Sequence, residues 1–342
     1  MSVSGALIIN MFKLFFPFIP IAIVVTLAIT PVYEDGTHLV TEFARTGSGR
    51  VLAVFADGHL ITSDDSGDSW VTNFEAGERT PLTSIITLQN GNIVTGGLSR
   101  LGRPCLFLST DNGSSWGAVV PAGINTYSLR QIGTSVFLFG RDTSGPAIYR
   151  SLDNGLTWGR VLSVPGIGHF VSGHEIGSNI IAIRDEGQVY RSANGGLTWV
   201  LTASNLQARY VIKIIKATDG NLYAISLKLG GFWQGGNLFK SNDGVIWTVQ
   251  YTSRDTWFNN IIEVGQGNFY ALASVGTTPS QTLYLMKSTD YGVNWIQVSP
   301  IRENILDYDD TRFGLLLLPD NRLLIGTGRP GVGIIYRTDP VN

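Results

Sequence analysis

Cysteine, histidine and charge are all scarce in this 342-residue chain. The single cysteine, Cys105, excludes an intrachain disulfide framework and a cysteine-based zinc cluster. The four histidines lack the HExxH spacing of zinc proteases, and we expect neither a metal site nor a cofactor. The 24 basic and 26 acidic residues give a net charge of −2. A dedicated nucleic-acid-binding protein normally carries a basic excess, so nucleic acid is not an expected partner.

Hydrophobic residues account for 44% of the chain, and the longest apolar run, residues 6–30, contains one charged residue. A helix of about 20 residues crosses the hydrocarbon layer of a bilayer, so this run is long enough for a membrane anchor. Pro17 and Pro20 would kink or split such a helix. A basic start and an apolar middle also fit a signal peptide, although Thr26-Leu27-Ala28 is a poor cleavage site. We expect residues 1–30 to be a separate N-terminal segment: an anchor or uncleaved signal, a tail buried in an assembly such as a virus particle, or a cleaved signal.

An octapeptide recurs along the rest of the chain. Its copies are SDDSGDSW (63–70), STDNGSSW (109–116), SLDNGLTW (151–158), SANGGLTW (192–199), KSNDGVIW (240–247, with the serine displaced by one) and STDYGVNW (288–295). A seventh copy begins at Arg337-Thr338-Asp339. The acid or amide at the third position is Asp65, Asp111, Asp153, Asn194, Asn242, Asp290 and Asp339. Repetition at a period of 40 to 50 residues is typical of propellers and other repeat folds.

The S-x-D-x-G-x-x-W pattern resembles the Asp-box, or BNR, repeat. The chain is therefore similar, over roughly residues 38–342, to the Asp-box β-propellers: sialidases, xyloglucanase-type glycosidases, sortilin-like receptors and the Ycf48 family of photosystem assembly factors. In such a turn the Asp or Asn side chain accepts hydrogen bonds from nearby backbone N–H groups, and glycine supplies a positive φ. The tryptophan begins the next strand and buries its ring. The repeat therefore indicates a fold and assigns structural roles to its residues, but it indicates no activity.

Short alternating runs separated by NG- and DG-type turns precede each octapeptide, which predicts three strands before it and one after it. Each unit is then a four-stranded antiparallel sheet, and the fold is an all-β, seven-bladed β-propeller over residues 31–342. The predicted blades start near residues 38, 82, 126, 169, 210, 257 and 311. The last unit has three strands, so we expect Ile29–Asp35 to supply its fourth and close the ring. A six-bladed ring with one irregular unit is the alternative.

Loops on the face opposite the octapeptides contain about half of the 18 arginines, together with the two tryptophans that lie outside the repeat. Arginine suits planar anions, and aromatic platforms suit sugar rings that bear carboxylates. The predicted ligand site comprises Arg209, Tyr210, Trp233, Arg254, Trp257, Arg302 and Arg312. Alternatively, these arginines form weak surface pairs with the acidic residues of neighbouring loops.

A sialidase-like glycoside hydrolase acting on acidic sugars is the enzymatic alternative. The resemblance would then require three arginines on the substrate carboxylate, a tyrosine nucleophile assisted by glutamate, and an aspartate acid/base. The F/Y-R-I-P motif of that family is absent from the sequence, and its ring has six blades. Asp255 with Asp309 or Asp310 is the best available carboxylate pair. We favour a non-catalytic propeller that binds a glycan or protein, on an extracytoplasmic or virion surface, with residues 6–30 contacting a membrane.

Overall fold

The computed structural model describes residues 27–36, 39–77, 80–99, 105–119, 123–206, 209–227, 235–276, 281–303, 313–329 and 332–341. These residues form 28 β-strands in seven four-stranded antiparallel sheets, which confirms the predicted all-β, seven-bladed propeller. The six-bladed alternative is wrong. Within these ranges, no helix is long and apolar enough to span a membrane.

The strands of each blade follow in order from the axis to the rim. Blade 1 contains β2 (Val40–Arg45), β3 (Val51–Phe55), β4 (His59–Ser63) and β5 (Val71–Glu75). Blade 2 contains β6 (Leu82–Thr87), β7 (Ile93–Gly97), β8 (Leu106–Ser109) and β9 (Gly117–Ala118). Blade 3 contains β10 (Asn125–Ile132), β11 (Ser135–Asp142), β12 (Gly145–Ser151) and β13 (Gly159–Ser163). Blade 4 contains β14 (Phe170–Ile176), β15 (Asn179–Arg184), β16 (Val189–Ser192) and β17 (Val200–Leu201).

The remaining blades have the same order. Blade 5 contains β18 (Arg209–Lys216), β19 (Leu222–Leu227), β20 (Gly236–Ser241) and β21 (Thr248–Thr252). Blade 6 contains β22 (Thr256–Gly265), β23 (Asn268–Val275), β24 (Thr282–Ser288) and β25 (Ile296–Glu303). Blade 7 contains β26 (Leu315–Leu317), β27 (Leu323–Arg329), β28 (Val332–Thr338) and β1 (Ile29–Asp35).

The N-terminal strand closes the ring, as the sequence predicts. β1 pairs antiparallel with β28, from Ile29 opposite Thr338 to Asp35 opposite Gly333. The strand begins two residues before the expected boundary at residue 31. Tyr33 of β1 packs against Phe55 of blade 1, with ring centroids 6.2 Å apart, so the closing strand also contributes to the junction between the last blade and the first. Pairing β28 in this way covers the edge that blade 7 would otherwise expose.

The octapeptides form the turns between the third and fourth strands. In blade 1 the Ser63 hydroxyl donates to Asp65 Oδ1 at 2.7 Å, and the Ser69 N–H donates to the same oxygen at 2.9 Å. The Gly67 N–H donates to Ser63 Oγ at 2.8 Å, and Trp70 Nε1 donates to the Gly67 carbonyl at 3.2 Å. In blades 2 to 6 the equivalent glycine N–H donates to the serine oxygen at 2.8 or 2.9 Å. The serine, aspartate and tryptophan side chains of these turns therefore form hydrogen bonds that stabilise the turn.

Two copies depart from the predicted pattern. In the fifth, Asp243 rather than Asn242 takes the central role: its Oδ1 accepts from the Ser241 hydroxyl at 3.0 Å and from the backbone N–H of the two residues after Gly244, at 2.8 Å each. The displaced serine makes this turn one residue shorter, so the acid two positions after the serine is residue 243. In the seventh, the Asp339 N–H donates to the Ala28 carbonyl at 3.0 Å and extends the pairing of β1 with β28.

The octapeptide glycines also lie at the contacts between blades. Gly67 has φ +88°, and a Cβ built on it would lie 3.0 Å from Leu324 of blade 7. Gly155 has φ +91°, and its Cβ would lie 2.8 Å from Val94 of blade 2. Each turn thus needs glycine for its backbone conformation and for close approach to the preceding blade. We name the side of the ring with these turns the octapeptide face, and the opposite side the cavity face.

Candidate functional site

A cavity of about 240 Å³ lies on the axis and is lined mainly by the inner strands of the blades. In six of these strands the register shifts by one residue near the strand start, as in a β-bulge. The residues that follow the shift are Glu42, Ser84, Ser128, Ser172, Lys213 and Asn260. All of them except Ser84 line the cavity. Bulges commonly re-aim side chains, and here they bring polar groups from several blades to one axial level.

The charged groups that line the cavity are two cations, Arg130 and Lys213, and two carboxylates, Glu42 near Lys213 and Asp185. Lys213 Nζ donates to Asn260 Oδ1 at 2.7 Å and lies 4.0 Å from Glu42 Oε1. Arg130 Nη1 donates to the Leu129 carbonyl at 3.2 Å, whereas its buried Nε has no hydrogen-bond partner in the described structure. Burial lowers the pKa of Lys213; Glu42 partly opposes this effect, and Arg130 adds to it. Around Lys213, two cations therefore accompany one carboxylate, Glu42, whereas the second carboxylate, Asp185, lies beside His169.

His174 lies next to this charged group and does not add to its charge. Its Nε2 is 2.9 Å from the Ile214 carbonyl. Burial, followed by the charge of Arg130, lowers the pKa of His174 to about 3. The imidazole is therefore neutral at neutral pH, and its ring N–H donates to that carbonyl.

Aromatic residues line the mouth of the cavity. The rings of Tyr127 and His169 stack with centroids 3.5 Å apart and planes 15° apart. His169 Nδ1 lies 3.3 Å from Asp185 Oδ2, and burial raises the pKa of that carboxyl group. Tyr210 is 51% exposed and has φ 56°, an uncommon conformation for a bulky residue. Because it lies at the register shift of β18, Tyr210 projects from the regular strand.

Four of the seven residues of the predicted ligand site have described side chains: Tyr210, Arg254, Trp257 and Arg302. Tyr210 lines the cavity. Arg254 is exposed in the turn before β22, and the half-buried Trp257 lies within that strand. Arg302 donates to the Gly328 carbonyl at 2.7 Å and so connects blade 6 to blade 7. Trp233, Arg312 and the side chain of Arg209 lie outside the described residues.

The sequence prediction missed the axial charges because it considered loops alone. Glu42, Arg130 and Lys213 lie inside the first strand of their blades, in otherwise largely apolar or hydroxyl-bearing runs. An alignment of the seven inner strands with one another would have shown a charge at a position where other blades carry serine. That signal, a charged residue in an inner strand, is available from the sequence.

The carboxylate pair considered for a glycosidase lies only partly within the described residues. Asp255 is exposed and accepts from the Ser253 hydroxyl at 2.7 Å, whereas its proposed partners Asp309 and Asp310 lie outside the described residues. Within the described ranges, no group of three or more His, Cys, Asp or Glu side chains is arranged to hold a metal ion. The feature that the structure brings together is the axial cavity, with its charged lining and aromatic mouth.

No protein-family model matches the sequence, and no curated protein matches it. Solved structures resemble the chain over most of its length. Ycf48 bound to a D1 peptide has a TM-score of 0.62 at 17% identity, covering 93% of this chain and 97% of that one. Ycf48 from Cyanidioschyzon merolae has a TM-score of 0.60 at 15% identity, covering 92% and 100%. A PL25 ulvan lyase bound to GlcA(1-4)Rha3S has a TM-score of 0.60 at 12% identity, covering 90% and 95%. These likenesses show a shared propeller fold alone.

Proposed function

We propose that this protein is a non-catalytic binding propeller whose axial cavity receives the carboxylate of an acidic glycan. The observation that carries the proposal is the pair of cations, Arg130 and Lys213, grouped with the carboxylate of Glu42 in a cavity that opens at the mouth. A ligand carboxylate could pair with one of these two cations, both of which line the cavity, through charge-assisted hydrogen bonds. Charge-assisted hydrogen bonds are strongest where water is excluded.

The size of the cavity limits what enters it. About 240 Å³ is below the roughly 300 to 1,000 Å³ of pockets that enclose drug-sized ligands. The cavity therefore takes a charged group or one terminal residue, and the rest of the ligand lies over the mouth. Tyr127 and Tyr210 offer ring surface there, and the C–H face of a sugar ring packs well on such a surface.

A protein partner that presents a carboxylate is the other occupant of the same site. The solved neighbours of this fold include one bound to a peptide and one bound to GlcA(1-4)Rha3S, so both ligand types occur on similar propellers. The aromatic mouth favours the glycan. We also propose an extracytoplasmic or virion location, with the apolar run at residues 6–28 attaching the propeller to a membrane, supported by its length and composition.

An array of sialylated, uronate-containing and neutral glycans, combined with peptides bearing free or amidated C-termini, tests the proposed ligand. We expect binding to acidic glycans, and a loss of at least tenfold in affinity, or about 1.4 kcal/mol, for Lys213→Met. Lys216→Met is the matched control, since Lys216 lies three residues further along β18 and pairs with Glu175. Equal binding to neutral glycans, or full affinity in Lys213→Met, contradicts the axial site. Selective capture of free C-terminal peptides would replace the glycan with a protein. Turnover of a fluorogenic sialoside would contradict the non-catalytic assignment.

A further inference from the structure

The octapeptide face is apolar over four consecutive blades. One turn residue is exposed in each: Leu156 in blade 3, Leu197 in blade 4, Ile246 in blade 5 and Val293 in blade 6. Their exposed fractions are 54%, 58%, 54% and 47%, so none of these side chains is buried in the propeller. Further exposed apolar residues lie in the same turns or at the starts of the strands that follow: Leu152, Val200, Leu201, Val249 and Ile296. Nine of the twelve exposed large hydrophobic residues of the described structure thus lie in these turns and strand starts of four blades, a grouping that favours an interaction surface.

Blades 1 and 2 are different at the same positions. The residue after the octapeptide glycine is Asp68 in blade 1 and Ser114 in blade 2. Asp68 forms an ion pair of 2.5 Å with Arg337 of blade 7. Val71 is the one large apolar residue exposed among the described parts of these two blades. The exposed apolar residues are therefore concentrated in one sector of the ring, blades 3 to 6, as compared with blades 1 and 2.

Basic residues follow the same division. One directly precedes the octapeptide serine in each of blades 3 to 6: Arg150, Arg191, Lys240 and Lys287. Blades 1 and 2 have Thr62 and Leu108 there. Arg150 donates to Ser135 Oγ at 2.8 Å and Lys240 pairs with Asp219 at 3.1 Å, so these two basic side chains are engaged within the propeller. The sector is distinguished by its exposed aliphatic side chains, which suit insertion at the surface of a bilayer.

The chain enters the propeller at this face. Ile29 pairs with Thr338 at the octapeptide end of β28, and the Ala28 carbonyl accepts from the Asp339 N–H. Leu27 packs against the core between blades 6 and 7. The apolar run at residues 6–28 thus continues into β1 without a polar linker, next to the apolar sector of blades 3 to 6. If that run enters a bilayer, the octapeptide face stays close to the membrane, because no linker separates the run from β1.

We propose that the octapeptide face of blades 3 to 6 lies on the surface of the lipid bilayer that the apolar N-terminal run enters. This inference depends on the membrane attachment proposed above and adds the face and the sector of the propeller that contact lipid. Leu156, Leu197, Ile246 and Val293 insert at the interface. The cavity face is then directed away from the membrane, where a large ligand reaches the axial mouth.

Lipid quenching of site-specific labels on the full chain tests this orientation. The chain is reconstituted into phosphatidylcholine vesicles with and without phosphatidylglycerol, and doxyl-labelled lipid serves as the quencher. Three variants carry the fluorophore: Leu197→Cys in the sector, Ser114→Cys at the equivalent position of blade 2, and Thr143→Cys on the cavity face. The native Cys105 is buried and remains unlabelled in the folded protein. We expect quenching several-fold stronger at position 197 than at the other two, with little change on adding phosphatidylglycerol, because Lys216 and Lys240 of this face are paired with acidic residues. The quenching should fall when Ile246→Ser and Val293→Ser are added.

Each other result has a distinct meaning. Protein that floats with the vesicles but shows no stronger quenching at position 197 overturns the proposed surface and leaves the attachment intact. Protein that does not float overturns the attachment and the surface together, without bearing on the axial cavity. Disulfide dimers through position 197, with no quenching by lipid, would show that the sector is an interface between two copies of this chain.

Discussion

Lys213 of blade 5 and Glu42 of blade 1 face each other across the axis of the propeller, with Nζ 4.0 Å from Oε1. Three blades lie between the first and the fifth along the chain, yet the bulges of β2 and β18 bring both side chains to the same level. Because Arg130 is the second cation lining the same cavity, Glu42 counters two positive charges. The pair joins distant blades and also determines which ligand charge the cavity accepts.

Glu42→Gln is expected to destabilise the propeller and to make it respond to anions. The variant leaves Arg130 and Lys213 without their counter-charge, which we expect to lower the unfolding free energy by about 1 to 3 kcal/mol. Acetate or sulfate should restore part of this loss, since an anion that binds the folded state stabilises it. Urea unfolding in chloride, acetate and sulfate measures both effects. Glu175→Gln, at the exposed pair with Lys216, is the control and should change stability by less than about 0.5 kcal/mol. If Glu42→Gln changes neither the unfolding free energy nor its response to anions, Glu42 does not stabilise the two cations.

The closing strand is expected to be necessary for a monomeric propeller. A chain that starts at residue 37 lacks β1 and leaves the edge of β28 unpaired, so it should aggregate or exchange strands between copies. It also loses the contact of Tyr33 with Phe55 between the last and first blades. A chain that starts at residue 27 keeps β1 and is the matched control. Analytical ultracentrifugation and thermal unfolding compare the two, and equal stability of both chains would contradict a role for β1.

In the fifth octapeptide, Asp243→Ala should cost far more stability than Asn242→Ala. Asp243 accepts three hydrogen bonds in its turn, two of them from backbone N–H groups at 2.8 Å. Hydrogen bonds to a charged acceptor contribute more than neutral ones, so we expect a loss of about 1 to 2 kcal/mol. Asn242 should be nearly neutral on substitution. Chemical denaturation of the two alanine variants decides the register of this turn, and the reverse order would restore the assignment made from the sequence.

The octapeptide carboxylates predict a loss of stability in acid. The hydroxyl of Ser69, with the turn backbone, lowers the pKa of Asp65 to about 2, and Ser115 does the same for Asp111. A carboxyl group whose folded-state pKa is depressed stabilises the fold above its unfolded value of about 3.9, and this contribution is lost as the pH falls towards 2. Unfolding free energy should therefore be flat from pH 7 to about pH 5 and should fall below about pH 4. The double variant Asp65→Asn and Asp111→Asn should fall less steeply, since an amide does not titrate; Asn194 occupies this position in blade 4. Identical slopes would assign the acid sensitivity to other groups.

The sequence predicts the fold almost completely, because the octapeptide is a local signal that repeats with the period of the blade. It also predicts β1, since a three-stranded last unit needs a partner and Ile29–Asp35 is the strand left over. It does not predict the axial cavity, since the bulges that align Glu42 with Lys213 depend on backbone register, and no residue type marks them. It places Asn242 wrongly for a similar reason. The sequence pattern locates a turn to within one residue. Only the hydrogen bonds of the folded turn show which side chain, Asn242 or Asp243, is the acceptor.

Gly196→Ala tests whether the octapeptide glycines are needed for packing between blades as well as for their backbone conformation. Gly196 has φ +85°, and a Cβ there would overlap the buried ring of Phe137 in blade 3. Left-handed strain and overpacking together should cost about 3 kcal/mol. Gly177→Ala is the control: its φ is also positive, at +55°, but nothing lies within 4 Å of the added carbon, so about 1 kcal/mol is expected. In a double-mutant cycle read by chemical denaturation, Phe137→Leu should recover part of the Gly196→Ala loss and none of the Gly177→Ala loss. Equal losses at the two glycines would show that backbone conformation alone explains the repeat.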